Sequence, residues 1–456
     1  MGDSTRQAKP AHSEEPGGYR YYVLGILTLI YALNFLDRQI IGILAVPLKA
    51  VFQLSDSQFG LLGGLAFAVL YSTLAIPIAW LADRSSRVWV ITTSLTIWSG
   101  FTALCGVAGN FAQLFLCRMG VGIGEAGGAA PAFSLISDHF PPNQRARALA
   151  VFSLGLPIGT GCGILVGGLV AADFGWRAAF IAVGVVGVIL APILRLTVRD
   201  PLRGGTDIRT IEAADPTPIA APKAPRFVEV VRLLAAKRSF WLLSFAGAAS
   251  SVCAYGLAAW LPSFFIRSFG LTLSQTAYYY GAITFFGGIA GIAAGGILAD
   301  RLGSSSRAAY ARVPAFALPL CVPFLILAMK VPDFWLALVP NADGSGWGGI
   351  GLAFVAFLVP TALNVIWLGP LAATIQHLAP APMRTTASAL LLLINNLIGI
   401  TVGVFYFGLM SDVLRPVFGE ESLRWSLYSG MIFYLIAAAL FYLCSRSLDR
   451  DWVETH

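Results

Sequence analysis

The chain has 456 residues, of which 57% are hydrophobic and only 12% are charged, whereas an average soluble domain is about 25% charged. This balance excludes an ordinary soluble enzyme or binding domain and predicts an integral membrane protein. The net charge of +7 does not indicate a nucleic-acid partner, because the basic residues cluster in the short segments between apolar runs.

The amino-terminal residues 1–20 are rich in Pro, Gly and Ser without an apolar core, so they predict a disordered tail and not a cleaved signal peptide. The apolar runs that follow are each long enough to cross about 30 Å of hydrocarbon at about 1.5 Å per residue. We predict twelve transmembrane helices, at 22–49, 57–82, 88–108, 111–137, 146–172, 176–196, 240–266, 275–299, 309–330, 347–377, 384–412 and 425–445.

The Lys and Arg residues lie mainly in the loops that share a side with the amino terminus. By the positive-inside rule this side is cytoplasmic, and an even number of spans places both termini there. We expect a multi-pass protein of the plasma membrane, or of the inner membrane if bacterial, that acts as a monomer in the lipid bilayer.

Four ionisable residues lie inside the predicted spans, where each charge at the centre of a membrane helix costs roughly 2.5–3.5 kcal/mol. Asp37 and Arg38 are in the first span, and Arg118 and Glu125 are in the fourth. Because two acids balance two bases, the sequence predicts one buried polar site.

Helical periodicity assigns these residues to faces. Arg118 and Glu125 are seven residues apart, which is two turns, so they share a face. Tyr31, Asn34 and Arg38 share a face of the first span by the same rule.

The longest polar stretch between spans, 197–237, divides the chain into two halves that share sequence features. The sequence LADR at Leu81–Arg84 recurs at Leu298–Arg301, after the second span of each half. Such a duplication is typical of transporters whose halves rock about a midplane site. The predicted domains are a cytoplasmic tail 1–20, a six-helix bundle 21–197, a cytoplasmic linker 198–238 with a short surface helix near 227–234, a second six-helix bundle 239–446, and a cytoplasmic tail 447–456.

The repeated aspartates predict a gate at the cytoplasmic end. Asp83 and Asp300 close helix ends, where a carboxylate accepts hydrogen bonds from the amino end of a neighbouring helix. The alternative is that they are solvated loop charges, which does not explain an acid repeated at one position. The residues expected at this gate are Asp83, Arg84, Arg87, Arg145, Asp300, Arg301 and Arg384.

The second copy, Gly296–Gly303, resembles the G-x-L-A-D-R-x-G signature of the major facilitator superfamily, whereas the first copy has Ala79 and Ser86 in place of glycines. Gly155–Gly168 also resembles that family's Gly/Pro-rich fifth helix. Within the superfamily the chain is similar to the Spinster-like lipid transporters. The segments that carry this resemblance are Asn34–Arg38, Arg84–Arg87, Arg118–Ala126 and Val198–Pro201.

Proton coupling is expected at the buried carboxylates, because arginine stays protonated. Asp37 is the expected proton carrier, and Glu125 is the second proton-coupling residue. Arg118 and Glu125 are expected to form a substrate-sensitive pair, a role that the Spinster resemblance also implies. The alternative is that they form a static ion pair that holds two helices together.

Substrate binding is expected at Arg38, whose planar guanidinium suits phosphate or carboxylate. Arg118, Asn34 and Tyr31 complete the expected substrate site. The carboxy-terminal half has no ionisable residue deep in its predicted spans; its polar candidates are Tyr255, Asn364, Trp367, Asn395, Asn396 and Tyr406. The cavity would thus have a charged wall from the first half and a largely apolar wall from the second. This combination suits an amphiphile, which has a polar head and an apolar tail.

These features predict an all-α membrane protein of the major facilitator fold, with its two halves related by pseudo-twofold symmetry. The expected function is proton-coupled transport of an amphiphilic lipid, such as a lysophospholipid or a sphingosine-phosphate-like lipid, by rocker-switch alternating access. The alternative is a small organic anion or drug as cargo.

An enzyme acting on lipids would need a nucleophile with a base, or a metal site, and the sequence offers neither pattern. Gly122–Gly127 fits the dinucleotide pattern G-x-G-x-x-G, but it lies inside a span with no preceding strand. We therefore expect no enzyme activity, no cofactor and no metal.

Overall fold

The apolar runs form helices because, in hydrocarbon, a helix satisfies every backbone N–H and C=O group within its own segment. The computed structural model describes residues 18–201, 227–303, 306–338, 349–380 and 383–453. Residues 1–17 of the predicted tail and 202–226 of the predicted linker lie outside this part of the chain. Within it the secondary structure is helical without strands, as predicted.

The helices of the first half are α1 Tyr19–Ile43, α2 Ala45–Phe52, α3 Asp56–Gly60, α4 Ala66–Ala82, α5 Arg87–Cys105, α6 Phe111–Glu125, α7 Ala129–His139, α8 Pro142–Ser153 and α9 Gly155–Thr197, with a π-helical segment Leu61–Leu65 between α3 and α4. The helices of the second half are α10 Phe227–Ala235, α11 Arg238–Phe269, α12 Leu273–Gly303, α13 Ala309–Leu338, α14 Gly349–Val365, α15 Leu368–Leu378, α16 Arg384–Phe418, α17 Ser422–Gly430 and α18 Ile432–Asp451. The short helix expected near 227–234 is thus present as α10.

Nine helical stretches in the described residues are long and apolar enough to cross a membrane. Two of them contain a sharp turn at a glycine with a positive φ angle, at Gly175 (φ 85°) and at Gly419 (φ 56°), a conformation that glycine adopts without steric cost. Each of these two stretches therefore contains more than one pass. The total of twelve spans stays a prediction.

The fourth predicted span is not one continuous helix. A single helix was expected over 111–137, but α6 ends at Glu125 and α7 begins at Ala129. Neighbouring backbone packs closely here: a Cβ added at Gly124 would lie 2.4 Å from the backbone nitrogen of Trp98. The interruption leaves Glu125 at the last turn of α6, in the middle of the span.

Each half begins and ends at the same end of the bundle. The hydroxyl of Tyr19 donates to the carbonyl of Thr197 at 3.0 Å, and Lys237 donates to the carbonyl of Asp451 at 2.6 Å. We call this the basic end, defined by residues 83–87, 139–142, 198–201, 300–303 and 378–380. The opposite end is the closed end, defined by 44–58, 267–275 and 405–422.

Close packing of α1 against α9 fixes the helix that carries Asp37 and Arg38. A Cβ at Gly159 would lie 2.1 Å from the carbonyl oxygen of Ala32, and one at Gly163 would lie 2.7 Å from that of Leu36. Only glycine lets the two backbones approach this closely. The glycines of the segment Gly155–Gly168 therefore allow close packing of α9 against α1.

The two halves share a hydrophobic core toward the closed end. Phe59 of the first half meets Trp260 of the second edge to face, with ring centroids 5.3 Å apart. A second core, which includes Leu27 and Ile91, is formed almost entirely by the first half. The molecule is therefore shut at the closed end.

Candidate functional site

The four buried charges lie on two adjoining helices. Asp37 and Arg38 are on α1, and Arg118 and Glu125 are on α6. Asn110 caps the start of α6, and its side chain accepts from the backbone N–H of Gln113 at 2.9 Å. Asp37, Arg118 and Glu125 are each no more than 2% exposed. The prediction that these residues share one buried site is confirmed.

The ion pairs cross between the two helices. Nε of Arg38 donates to Oε2 of Glu125 at 2.6 Å, and NH1 of Arg118 donates to Oδ1 of Asp37 at 3.4 Å. The alternative of a static ion pair between Arg118 and Glu125 does not match these contacts, and their role as a substrate-sensitive pair stays a prediction. Residues seven apart on one helix share a face, but side chains of the adjoining helix reach each of them more closely.

Hydrogen-bond satisfaction differs between the two carboxylates. The hydroxyl of Thr102 donates to the second oxygen of Asp37, so both oxygens of that group have partners. Oε1 of Glu125 and Nε of Arg118 are buried and have no hydrogen-bond partner among the described residues. An unsatisfied buried acceptor and donor mark the two points where the site is able to take a proton or a ligand atom.

Aromatic rings surround the guanidinium of Arg38. Its Cζ lies 4.4 Å from the ring centroid of Tyr71, 5.0 Å from that of Phe67 and 5.1 Å from that of Phe35. Phe67 also faces Arg118 at 5.4 Å. These cation–π contacts stabilise two positive charges away from bulk water.

The second half contributes a tyrosine and an amide to this site. The hydroxyl of Tyr255 interacts with Arg38 and donates to Oδ1 of Asn396 at 3.3 Å. Asn364 instead accepts from Tyr434 at 2.7 Å, inside the second half. Of the polar residues predicted in this half, Tyr255 therefore reaches the buried charges, and Asn396 is linked to them through Tyr255.

Tyr31 and Asn34 lie on α1 together with Asp37 and Arg38. Tyr31 stacks on Phe152 with centroids 4.4 Å apart. Both residues line a cavity of about 10 Å³, together with Trp98 and Gly128, which leaves room for one water molecule at most. Their predicted role in binding substrate stays a prediction.

The predicted gate residues differ in their exposure to solvent. The side chains of Asp83, Arg84, Asp300 and Arg301 are exposed at the basic end. Arg145 and Arg384 are half-buried there. The expected contacts between the halves at this end stay a prediction for another conformation.

Arg87 has a different environment from the other gate residues. It is 2% exposed and donates to Asp200, to Asp138 and to the hydroxyl of Ser134. It also donates to the carbonyl of Pro201 at 2.8 Å. Arg87 therefore ties the third, fourth and sixth spans of the first half together at the basic end.

This environment lowers the pKa of the Asp200 carboxyl group. Burial alone would raise the pKa of Asp200, but the hydrogen bond from Ser86 and the positive charge of Arg87 outweigh it and hold the pKa below its usual range. Asp200 therefore stays ionised beside Arg87 at neutral pH.

Polar residues that were not predicted join the halves at the closed end. Arg267 donates to both oxygens of Asp56, at 2.9 and 2.7 Å, and Ser411 donates to Asp56 at 2.7 Å. Lys49 also contacts Asp56. Asp412 accepts from the backbone N–H groups of residues 56 and 57 at 3.1 and 2.7 Å. We call Lys49, Asp56, Arg267, Ser411 and Asp412 the closed-end cluster.

The sequence held only weak signals for these residues. Asp56 follows Ser55 in the capping box Ser55–Gln58, which explains an acid at a helix start without any partner. Thr102, Phe67 and Tyr71 are ordinary residues of apolar spans. Their roles depend on contacts with distant segments.

Comparisons with known proteins all relate the chain to one superfamily. Residues 27–404 match the Major Facilitator Superfamily. An MFS-type efflux pump of Mycolicibacterium smegmatis is 31% identical over 449 residues, which cover 97% of each chain. Protein spinster of Drosophila melanogaster is 26% identical over 89% of this chain and 64% of that protein. Human protein spinster homolog 1 is 28% identical over 86% of this chain and 73% of that protein.

A solved structure is similar over almost the whole chain. It is the crystal structure of a bacterial homologue of the human lysosomal transporter Spinster, in an inward-facing and unoccupied conformation. The TM-score is 0.84 at 32% sequence identity, and the match covers 97% of this chain and 100% of that one.

Proposed function

Because the chain belongs to the Major Facilitator Superfamily, and within it to the Spinster-like transporters, we propose that it moves an amphiphilic lipid across the membrane with protons. Membership of this family makes it a membrane transporter and not an enzyme. The proposed cargo is a lysophospholipid or a sphingosine-phosphate-like lipid.

The crossed ion pairs carry this proposal. They place two arginines and two carboxylates in one buried site, with Oε1 of Glu125 and Nε of Arg118 unsatisfied. A set of charges that served packing alone would be expected to satisfy every buried polar atom.

Protonation of either carboxylate would weaken its ion pair with an arginine. A proton that binds Glu125 at Oε1 neutralises the partner of Arg38 and weakens their attraction. A proton on Asp37 acts in the same way on Arg118. Each proton therefore makes one guanidinium available to an anion, so that proton and anion binding support each other.

The surroundings of Arg38 suit an amphiphile. A guanidinium held among Phe35, Phe67 and Tyr71 presents a charge next to apolar rings. A phosphate headgroup would bind the guanidinium through paired hydrogen bonds. The hydroxyl of Tyr255, which donates to Asn396 in this structure, would donate to the headgroup instead. The lipid tail would lie along the largely apolar second half.

Alternating access would exchange contacts at the two ends. In this structure the closed-end cluster joins the halves, and the LADR aspartates at the basic end are exposed. We propose that opening of the closed end brings the gate residues together, including Asp83 and Asp300. The basic end is assigned to the cytoplasm by the positive-inside rule.

A second cargo class is favoured by one relative. The 31% identical protein of Mycolicibacterium smegmatis is an MFS-type efflux pump, so a small organic anion or drug is the alternative cargo. The same buried charges would serve it.

Uptake driven by a pH gradient into reconstituted vesicles tests proton coupling. We expect Asp37→Asn and Glu125→Gln each to lose gradient-driven uptake, while Asp173→Asn, at an exposed position, transports like the wild type. Wild-type coupling in both buried variants would refute the proposed proton sites.

A binding assay tests the cargo. A labelled lysophospholipid is competed by an unlabelled lysophospholipid or by a small organic anion that lacks a tail. We expect only the lipid to compete at micromolar concentration. Equal competition by the tailless anion would favour the second cargo class.

A further inference from the structure

A cavity of about 180 Å³ lies at the closed end, away from the buried charges. It is lined by Val46, Lys49, Arg267, Arg415 and Glu420. We propose that this cavity binds a phosphate-type oxyanion, either free or as a lipid headgroup, and that the bound anion stabilises the shut conformation of this end.

Positive charge is concentrated around the cavity. The side chains of Lys49 and Arg267 are 13% and 17% exposed, and both contact Asp56. Arg415 is exposed and lies 3.6 Å from Glu420. Three cations thus meet at one cavity, while two carboxylates contact them.

A third acid, Asp412, lies nearby and also attracts Lys49. Asp412 accepts from the backbone N–H groups of Asp56 and Ser57, at the amino end of α3. Both of its oxygens thus accept from those N–H groups, and an added anion in the cavity would reduce the mutual repulsion of the three cations.

The cations retain donors for a ligand. A guanidinium has five N–H donors, and an ammonium group has three. Arg267 uses one donor from each of two nitrogens on Asp56, and Arg415 has a single long contact with Glu420. Phosphate oxygens accept several such charge-assisted hydrogen bonds at once.

The size of the cavity restricts the ligand. Sites for drug-sized ligands occupy about 300–1,000 Å³, so 180 Å³ admits a headgroup-sized anion but not a lipid tail. A phosphate monoester would place its phosphate in the cavity and leave the remainder outside.

The site is shared between the halves. Lys49 belongs to the first half, and Arg267 and Arg415 belong to the second. Separation of the halves at this end would divide the three cations, so the anion binds the shut conformation more tightly than the open one. By linkage, the anion therefore favours the shut conformation. This inference does not depend on the cargo or on proton coupling.

Phosphate titration of the full-length protein in phosphatidylcholine nanodiscs tests the site. The melting temperature is measured at constant ionic strength, with chloride replacing phosphate. We expect phosphate to raise the melting temperature of the wild type in a saturable manner, and chloride not to do so.

Three variants test the location. Arg415→Gln removes a lining cation outside the closed-end cluster, and we expect phosphate to bind it about tenfold more weakly, as for a lost charge-assisted hydrogen bond. Glu420→Gln removes the competing carboxylate, so binding should tighten severalfold. Arg446→Gln, at an exposed position in α18, is the matched control and should behave like the wild type.

General destabilisation of the protein would not weaken phosphate binding in Arg415→Gln and tighten it in Glu420→Gln. A second arm replaces phosphate by phosphatidic acid in the nanodisc. Stabilisation by the lipid alone would identify a headgroup as the source of the anion, and stabilisation by phosphate would show that the free anion suffices. The proposal is overturned if neither exceeds chloride, or if both Arg415→Gln and Glu420→Gln respond like the wild type.

Discussion

Arg38 donates through Nε to Oε2 of Glu125 across 2.6 Å, and this contact joins the first span to the fourth. It leaves Oε1 of Glu125 without a partner and directs Arg118 to Asp37 instead. Each arginine thus depends on a carboxylate of the other helix. A change at either acid therefore alters the contacts between two helices.

Double-mutant cycles on thermal unfolding in detergent will test the crossed pairing. For Arg38→Gln with Glu125→Gln we expect a coupling free energy of roughly 1–3 kcal/mol, because the two groups form a buried contact. For Arg118→Gln with Glu125→Gln we expect a smaller value. A larger coupling in the second cycle would contradict the pairing.

Glu125→Gln should imitate the protonated site in ligand binding. In the wild type, acidification should tighten the binding of an anionic lysophospholipid, because a neutral Glu125 no longer holds Arg38. The variant should bind tightly throughout and lose most of the pH dependence, by isothermal titration calorimetry between pH 5 and 8. An unchanged pH profile would exclude Glu125 as the group that controls the anion site.

Asp56→Asn should favour a conformation in which the two halves are separated at the closed end. The substitution removes the charge that holds Lys49 and Arg267, and leaving buried cations unpaired costs roughly 3–5 kcal/mol. Spin labels at Val51→Cys and Ser274→Cys, with Cys117 and Cys162 replaced by Ser, report the separation of the halves. We expect longer distances in the variant, and identical distance distributions would argue against a role for Asp56 in closure.

Two glycine substitutions separate close helix packing from intrinsic helix propensity. Gly159→Ala places a Cβ 2.1 Å from the carbonyl oxygen of Ala32, whereas Gly100→Ala meets no atom within 4 Å. The first should lower the melting temperature by several degrees and reduce transport, because α1 must move. The second should be neutral or slightly stabilising, since alanine favours a helix by up to about 1 kcal/mol. Equal effects would show that the α1–α9 contact is not tight.

Asp200→Asn tests the buried network around Arg87 through its pH dependence. The folded-state pKa of Asp200 is held below its unfolded value, which is about 3.9 for a free aspartate. Its contribution to stability is thus fully present above about pH 4 and is lost as the pH falls through the lower folded pKa.

In Asp200→Asn the melting temperature should be lower at pH 7 and should fall less on acidification below about pH 4 than in the wild type. A parallel acid profile in both proteins would show that Asp200 does not contribute in this way. Asp449→Asn, at an exposed position in α18, serves as the control.

Much of the fold was predictable from sequence, because the bilayer imposes strong local rules. Apolar length identifies spans, basic loops orient them, and the repeated LADR sequence at Leu81–Arg84 and Leu298–Arg301 shows the duplication. The superfamily and its Spinster-like group were predicted from local motifs and are confirmed by the comparisons. The break after Glu125 was missed, since glycine is common in continuous membrane helices as well.

The sequence by itself determined that Asp37, Arg38, Arg118 and Glu125 occupy one buried site, because helical periodicity and the cost of burying charge act within each span. The tertiary structure alone decided that Arg38 binds Glu125 and that Arg118 binds Asp37. Only tertiary structure also joins Asp56 to Arg267, 211 residues away in the chain. The physical reason is that an ion pair depends on the separation of two side chains in space, and packing between helices sets that separation.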